Sequence, residues 1–202
     1  MKKALIIVDT QNDFCEGGSL GVNGSSEIFP VINSLKKSSM FNLIIITKDW
    51  HPDNHMSFAK NHNKQPFQEM VIHGERQMLW PTHCLQNSKG AELSPLLQTN
   101  SQEVIVKKGF REHEEVYSGF GTSENPTEMK SILQKHGIEK VTVVGLALDY
   151  CVGLTAIDSK LEGFKTEIIG EGTKGITEKG IESMQKRLKE VGVEYKSIKE
   201  LN

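Results

Sequence analysis

Short apolar runs alternate along the chain with segments whose apolar positions recur at helical spacing. Val, Ile, Leu and Ala dominate residues 4–8, 43–47, 104–106, 141–145 and 166–169. Runs this continuous suit parallel strands covered on both faces better than strands with one wet face. Between them, residues 26–38, 127–136, 151–161 and 177–190 carry the spacing of amphipathic helices. Asn125-Pro126-Thr127 provides a start for the second of these, and Gly137 a stop. A weaker last strand is expected around residues 193–198. This alternation predicts one three-layer α/β/α domain over residues 1–202, built on a mostly parallel, doubly wound sheet. Two stretches fall outside the pattern: the glycine-rich residues 15–25, and residues 50–84. The second is long for an unstructured connection, so a functional or mobile segment is expected there.

Composition narrows the classes. A chain of 202 residues can bury a sizeable core without disulfides or a structural metal. Its net charge of −2 and isoelectric point near 6.4 provide no basic footprint for nucleic acid. No apolar stretch approaches membrane-spanning length. The start Met1-Lys2-Lys3 imitates a signal peptide, but Asp9 ends its apolar run, so it reads as a first strand. Neither nucleic acid nor a membrane is therefore an expected partner, and assembly into homo-oligomers is left open. Cysteines at 15, 84 and 151 form an odd set without a CxxC pair, which points to a reducing compartment, the cytoplasm.

In open α/β sheets, ligands gather at the carboxyl ends of strands. Asp9, Asp49, Lys108 and Cys151 all stand at or just past such ends. The apolar run before Cys151 breaks at small residues and delivers the cysteine to the start of the next helix, where the helix dipole favours a thiolate. Its alternative is a buried thiol acting as a small hydrophobe. Asp9 is either a turn-forming carboxylate or the acceptor of the thiol proton. Lys108 is either a surface lysine or a cation that favours the thiolate and keeps Asp9 ionised. A second group comprises Asp49 and His51, with His55 and His83 to follow. Residues two apart in an extended segment point the same way, so Asp49 and His51 can share one ion. Mixed oxygen and imidazole donors suit Zn²⁺, Fe²⁺ or Mn²⁺ better than Ca²⁺ or Mg²⁺. His62, His73, His113 and His136 lack such company and read as structural.

The two groups sit in motifs that span nearly the whole chain: Val8-Asp9-Thr10-Gln11-Asn12-Asp13-Phe14, Asp49-Trp50-His51-Pro52, Asn54-His55-Met56-Ser57-Phe58, Trp80-Pro81-Thr82-His83-Cys84, Lys108-Gly109, Tyr117-Ser118-Gly119-Phe120 and Gly145-Leu146-Ala147-Leu148-Asp149-Tyr150-Cys151-Val152. In that order they resemble the isochorismatase-like cysteine hydrolases, and within them the nicotinamidases (pyrazinamidases). The resemblance implies Cys151 as nucleophile, Asp9 as general base and Lys108, rather than Lys107, as third catalytic member. It implies Asp49, His51 and His83 as ligands of one divalent transition metal, Zn²⁺ first, with His55 as an optional fourth. It also implies a cis peptide between Leu146 and Ala147, with the N–H groups of Ala147 and Cys151 forming an oxyanion hole. Phe14, Trp80 and Tyr117 are then candidates to wall a substrate ring beside Ala147, and Leu20 to close the pocket, each with core packing as the alternative. The implied activity is hydrolysis of nicotinamide, and of pyrazinamide, to the acid and ammonia through a thioester, in NAD salvage. Two rivals remain open: a metal-free relative cleaving another amide or vinyl ether, and a non-catalytic thiol sensor using Cys15 or Cys84 as resolving partner.

Overall fold

A computed structural model of the chain describes residues 1–201. In chain order its regular elements are β1 (Lys3–Val8), α1 (Ile28–Lys37), β2 (Leu43–Asp49), β3 (Glu69–Ile72), β4 (Glu75–Met78) and β5 (Val104–Lys108). They continue with α2 (Met129–Lys135), β6 (Lys140–Leu146), α3 (Gly153–Leu161), β7 (Lys165–Lys174), α4 (Glu178–Val191) and β8 (Glu194–Lys196). Six strands form a wholly parallel sheet in the order β5-β2-β1-β6-β7-β8. The architecture is thus the expected mostly parallel α/β sheet flanked by helices.

Strand periodicity builds two cores. Along β1, Ala4, Ile6 and Val8 face one layer with Met129, Leu133, Ala156, Met184 and Leu188 of α2, α3 and α4. Leu5 and Ile7 face the other, with Ile28, Phe29, Ile32 and Leu35 of α1. Successive side chains of a strand point to opposite faces, so a central strand between two helical layers must be apolar throughout. No helix among the described residues is long and apolar enough to cross a membrane.

Several boundaries differ from the pattern-based expectation. The 50–84 segment contains a short 3₁₀ turn (Ala59–His62) and the antiparallel β3–β4 hairpin. The hairpin turns at His73 and Gly74, both with positive φ (52° and 86°), as a two-residue turn requires. β7 runs to Lys174 because a register irregularity opposite Val143 and Gly145 carries the strand past its apolar part. Cys151 does not open an α-helix. It sits within a single π-helical turn, Leu148–Val152, that leads into α3. Such one-turn insertions occur disproportionately at functional sites.

Candidate active site and metal centre

The sheet order reverses about β1: β2 and β5 lie on one side, β6, β7 and β8 on the other. β1 and β6 are neighbours at that switch, so the residues leaving their carboxyl ends, Asp9 and the Leu148–Val152 turn, flank one crevice. Asp9 leaves β1 in the left-handed region (φ 46°), its N–H bonded to Thr47 O at 3.2 Å. The Leu146–Ala147 peptide is cis. Asp149 receives the N–H groups of Ile176 (2.9 Å) and Thr177 (3.1 Å), which ties the turn bearing Cys151 to the loop before α4.

Asp9, Lys108 and Cys151 converge. Lys108 is fully buried, its Nζ 2.9 Å from Asp9 Oδ2 and 3.4 Å from Cys151 Sγ, donating also to Val116 O at 3.3 Å and to Asp49 Oδ1. Thr47 Oγ1 donates to Asp9 Oδ1 at 2.7 Å. Lys107 is exposed and stacks its ammonium over the Trp50 ring at 3.8 Å, away from this cluster.

Burial sets the protonation states. It raises the Asp9 carboxyl above its ordinary value, with Lys108 only partly opposing it. It also pushes the Cys151 thiol well up; Lys108 pulls it down, but Asp9 and Asp49 add to the rise. The buried cluster thus holds a thiol, not the thiolate that a helix terminus and a neighbouring lysine favour, beside a carboxylate able to take its proton. Burial favours a neutral amine at Lys108, yet the two carboxylates outweigh it and keep the ammonium.

Asp49 divides its carboxylate. Oδ1 pairs with Lys108, while Oδ2 lies 3.4 Å from His51 Nε2 and 3.9 Å from His83 Nε2. Burial would raise this carboxyl, but Lys108 and the imidazoles hold it well below the usual range. Each imidazole turns its Nδ1 to a backbone carbonyl, His51 to Gly109 O at 2.6 Å and His83 to Pro81 O at 2.8 Å. That hydrogen bond makes Nδ1 the donor and turns Nε2 toward Asp49, as in metal-ligating histidines. Ligand atoms of all three residues lie within 4.8 Å of one another. Two neutral imidazoles and one carboxylate fit a divalent transition ion. Burial lowers His83 to about 4, which keeps it neutral, and works the same way on His51, where Asp49 reverses it and leaves the group above its ordinary value. His55 stays outside the set: Nδ1 meets Ser57 Oγ at 2.8 Å and Nε2 meets Glu114 O at 3.0 Å. Burial lowers it to about 3.

A cavity joins the two groups, lined by Phe14, Leu20, Asp49, Trp80, His83, Glu115, Tyr117, Ala147, Tyr150, Cys151 and Ile176. All five pocket candidates from the sequence, Phe14, Leu20, Trp80, Tyr117 and Ala147, are among them. Phe14 and Leu20 also pack in the core beside α1, so lining and packing coexist. The aromatic wall is fixed by Trp80 Nε1 donating to Tyr117 Oη at 3.0 Å and by an edge-on Trp80–Tyr150 contact at 4.8 Å. Glu115, Tyr150 and Ile176 were not anticipated. Glu115 belongs to a charged run that reads as solvated surface, but its carboxyl is raised by burial and receives Gln77 Nε2 at 3.1 Å. Cys15, Cys84 and Cys151 are all free thiols.

Against known proteins, the isochorismatase domain family matches residues 3–199. A nicotinamidase of Acinetobacter baylyi is 42% identical over 180 residues, covering 88% of this chain and 83% of that protein. The yeast nicotinamidase Pnc1p, solved with the inhibitor nicotinaldehyde, superposes with a TM-score of 0.92 at 34% identity, covering 96% of this chain and 99% of that one. A pyrazinamidase of Pyrococcus horikoshii, solved in complex with zinc, gives 0.82 at 32% identity, covering 98% and 100%. The chain belongs to the isochorismatase family, and its curated relatives there are nicotinamidases.

Proposed function

From that membership, we propose that this chain is a metal-dependent nicotinamidase that converts nicotinamide, and pyrazinamide with it, to the acid and ammonia. The observation that carries this reading is the meeting of the Asp9/Lys108/Cys151 cluster and the Asp49/His51/His83 set on one aromatic-walled cavity. In this reading residues 1–202 form one catalytic domain, acting in the cytoplasm, where unpaired thiols stay reduced. Its product would enter NAD salvage.

A zinc ion held by Asp49, His51 and His83 would supply a Lewis-acid contact for the pyridine nitrogen of the substrate. Phe14, Trp80 and Tyr117 sandwich and orient the ring so that its carboxamide carbon meets Cys151 Sγ. Asp9 takes the thiol proton as the S–C bond forms. The N–H groups of Ala147 and Cys151 receive the oxyanion; losing one such donor costs about 3–4 kcal/mol of barrier. As the C–N bond breaks, Asp9 returns its proton to the amine, ammonia departs and a thioester remains on Cys151. Asp9 then deprotonates a water that attacks the thioester carbon. The C–S bond breaks, the sulfur regains the proton from Asp9, and the acid leaves. Lys108 holds Asp9 in place and balances its charge through both halves of the cycle. Rapid quenching of the zinc-loaded protein during turnover of nicotinamide should reveal a nicotinoyl adduct on the Cys151 peptide by mass spectrometry. Turnover without any adduct on that peptide, even under acid quench, would overturn the covalent route.

A further inference from the structure

The Asp49 carboxylate serves Lys108 with one oxygen and the imidazoles with the other, so its position must be fixed from the backbone. On one edge of β2 it is: Asp49 is in register with Lys108 of β5, and Trp50 N–H reaches Lys108 O at 3.0 Å. On the other edge β1 ends too soon. The β1–β2 pairing runs to Ile7 opposite Ile46, Asp9 N–H still bonds Thr47 O, and the chain then turns away. The next peptide groups along that edge belong to Asp49, and a side chain takes their ladder position. Gln11 Oε1 accepts Asp49 N–H at 2.8 Å, and Gln11 Nε2 donates to Asp49 O at 2.8 Å and to Ala91 O at 3.0 Å. Gln11 is fully buried, and its backbone bridges Leu93.

We propose that Gln11 is a positioning residue for Asp49, a side-chain amide that stands in for the missing strand and holds the metal-facing carboxylate in place. The inference rests on the reading that Asp49, His51 and His83 bind the ion. The chemistry is particular to this side chain. The site needs one acceptor and two donors in a plane with peptide dimensions. Glutamate cannot donate, and asparagine is one methylene short. Rotating the amide by half a turn would oppose donor to donor and carbonyl to carbonyl, so only one orientation satisfies all three partners. Outer partners that orient a metal ligand typically contribute 10–100-fold in affinity.

Gln11→Met keeps the length and removes the hydrogen bonds. Two measurements on the folded variant read the clamp: loss of Asp49 amide protection in hydrogen exchange by NMR without metal, and zinc affinity by chelator competition. The expected result is lost protection at Asp49 and zinc affinity weaker by about 10–100-fold. If Gln11→Met does not fold, Gln11→Asn, which keeps the amide but is one methylene too short to reach its partners, carries the same readouts. A role in stability alone lowers the melting temperature and leaves both readouts at their wild-type values, which would overturn the proposal. Wild-type protein that binds no zinc would overturn the metal reading instead, and the clamp is then decided by the exchange of the Asp49 amide alone.

Discussion

Lys108 is the charge on which the site turns. Its ammonium, fully buried, faces Asp9, Asp49 and Cys151 together, so its removal strands two carboxylates away from water. Breaking a buried ion pair by deleting one partner typically costs about 3–5 kcal/mol. Lys108→Ala should lose stability on that order in urea unfolding, whereas Lys107→Ala should stay close to wild type. The thiol yields a second prediction. A raised pKa means that Cys151 carries less thiolate at neutral pH than a free cysteine does. Its alkylation by iodoacetamide, followed on the Cys151 peptide, should keep rising beyond pH 9 with no plateau near neutrality. A plateau between pH 6 and 8 would show a resting thiolate. Which residues meet was legible in the sequence, because Asp9, Asp49, Lys108 and Cys151 all fall at strand ends. Their protonation states were not, because desolvation depends on neighbours that arrive from distant segments.

Elements account for the precision of the metal set. His51 follows β2 and is gripped by the carbonyl of Gly109, which follows the neighbouring strand β5. Gly109 has φ 65°, and a Cβ there would run into the His51 ring, with Nδ1 only 2.8 Å away. Both the conformation and the contact demand glycine. Gly109→Ala should therefore tilt His51 and weaken zinc binding by about 10–100-fold while the sheet persists, as checked by chelator competition alongside circular dichroism. The long parallel strands and α4 could be read from periodicity, since each buries a regular face. The β3–β4 hairpin could not: its strands are four residues long and half exposed, and its His73-Gly74 turn lacks the usual Asn-Gly signal. The far half of β7 escaped for a related reason. Its Glu171, Thr173 and Lys174 look like loop, yet they continue the strand beyond an irregularity. Gln77 in β4 and Glu115 in the charged run after β5 buttress the aromatic wall from equally polar stretches.

The whole molecule brings the Asp9/Lys108/Cys151 cluster and the Asp49/His51/His83 set to one cavity at the switch of a parallel sheet. Neither group can be completed by a single element. Asp9 comes from β1, Asp49 from β2, Lys108 from β5 and Cys151 from the turn after β6, so the site exists only when the sheet order is correct. Asp49 couples the halves, one oxygen toward each. The measurement that tests this most directly is ammonia release from nicotinamide by the zinc-loaded protein, set beside Cys151→Ala prepared with the same zinc content. Joint action of the two groups predicts sustained release from the wild type and none above background from the variant, with fold and zinc affinity unchanged. Comparable release from Cys151→Ala, or a folded, zinc-loaded wild type that leaves nicotinamide intact, would contradict it.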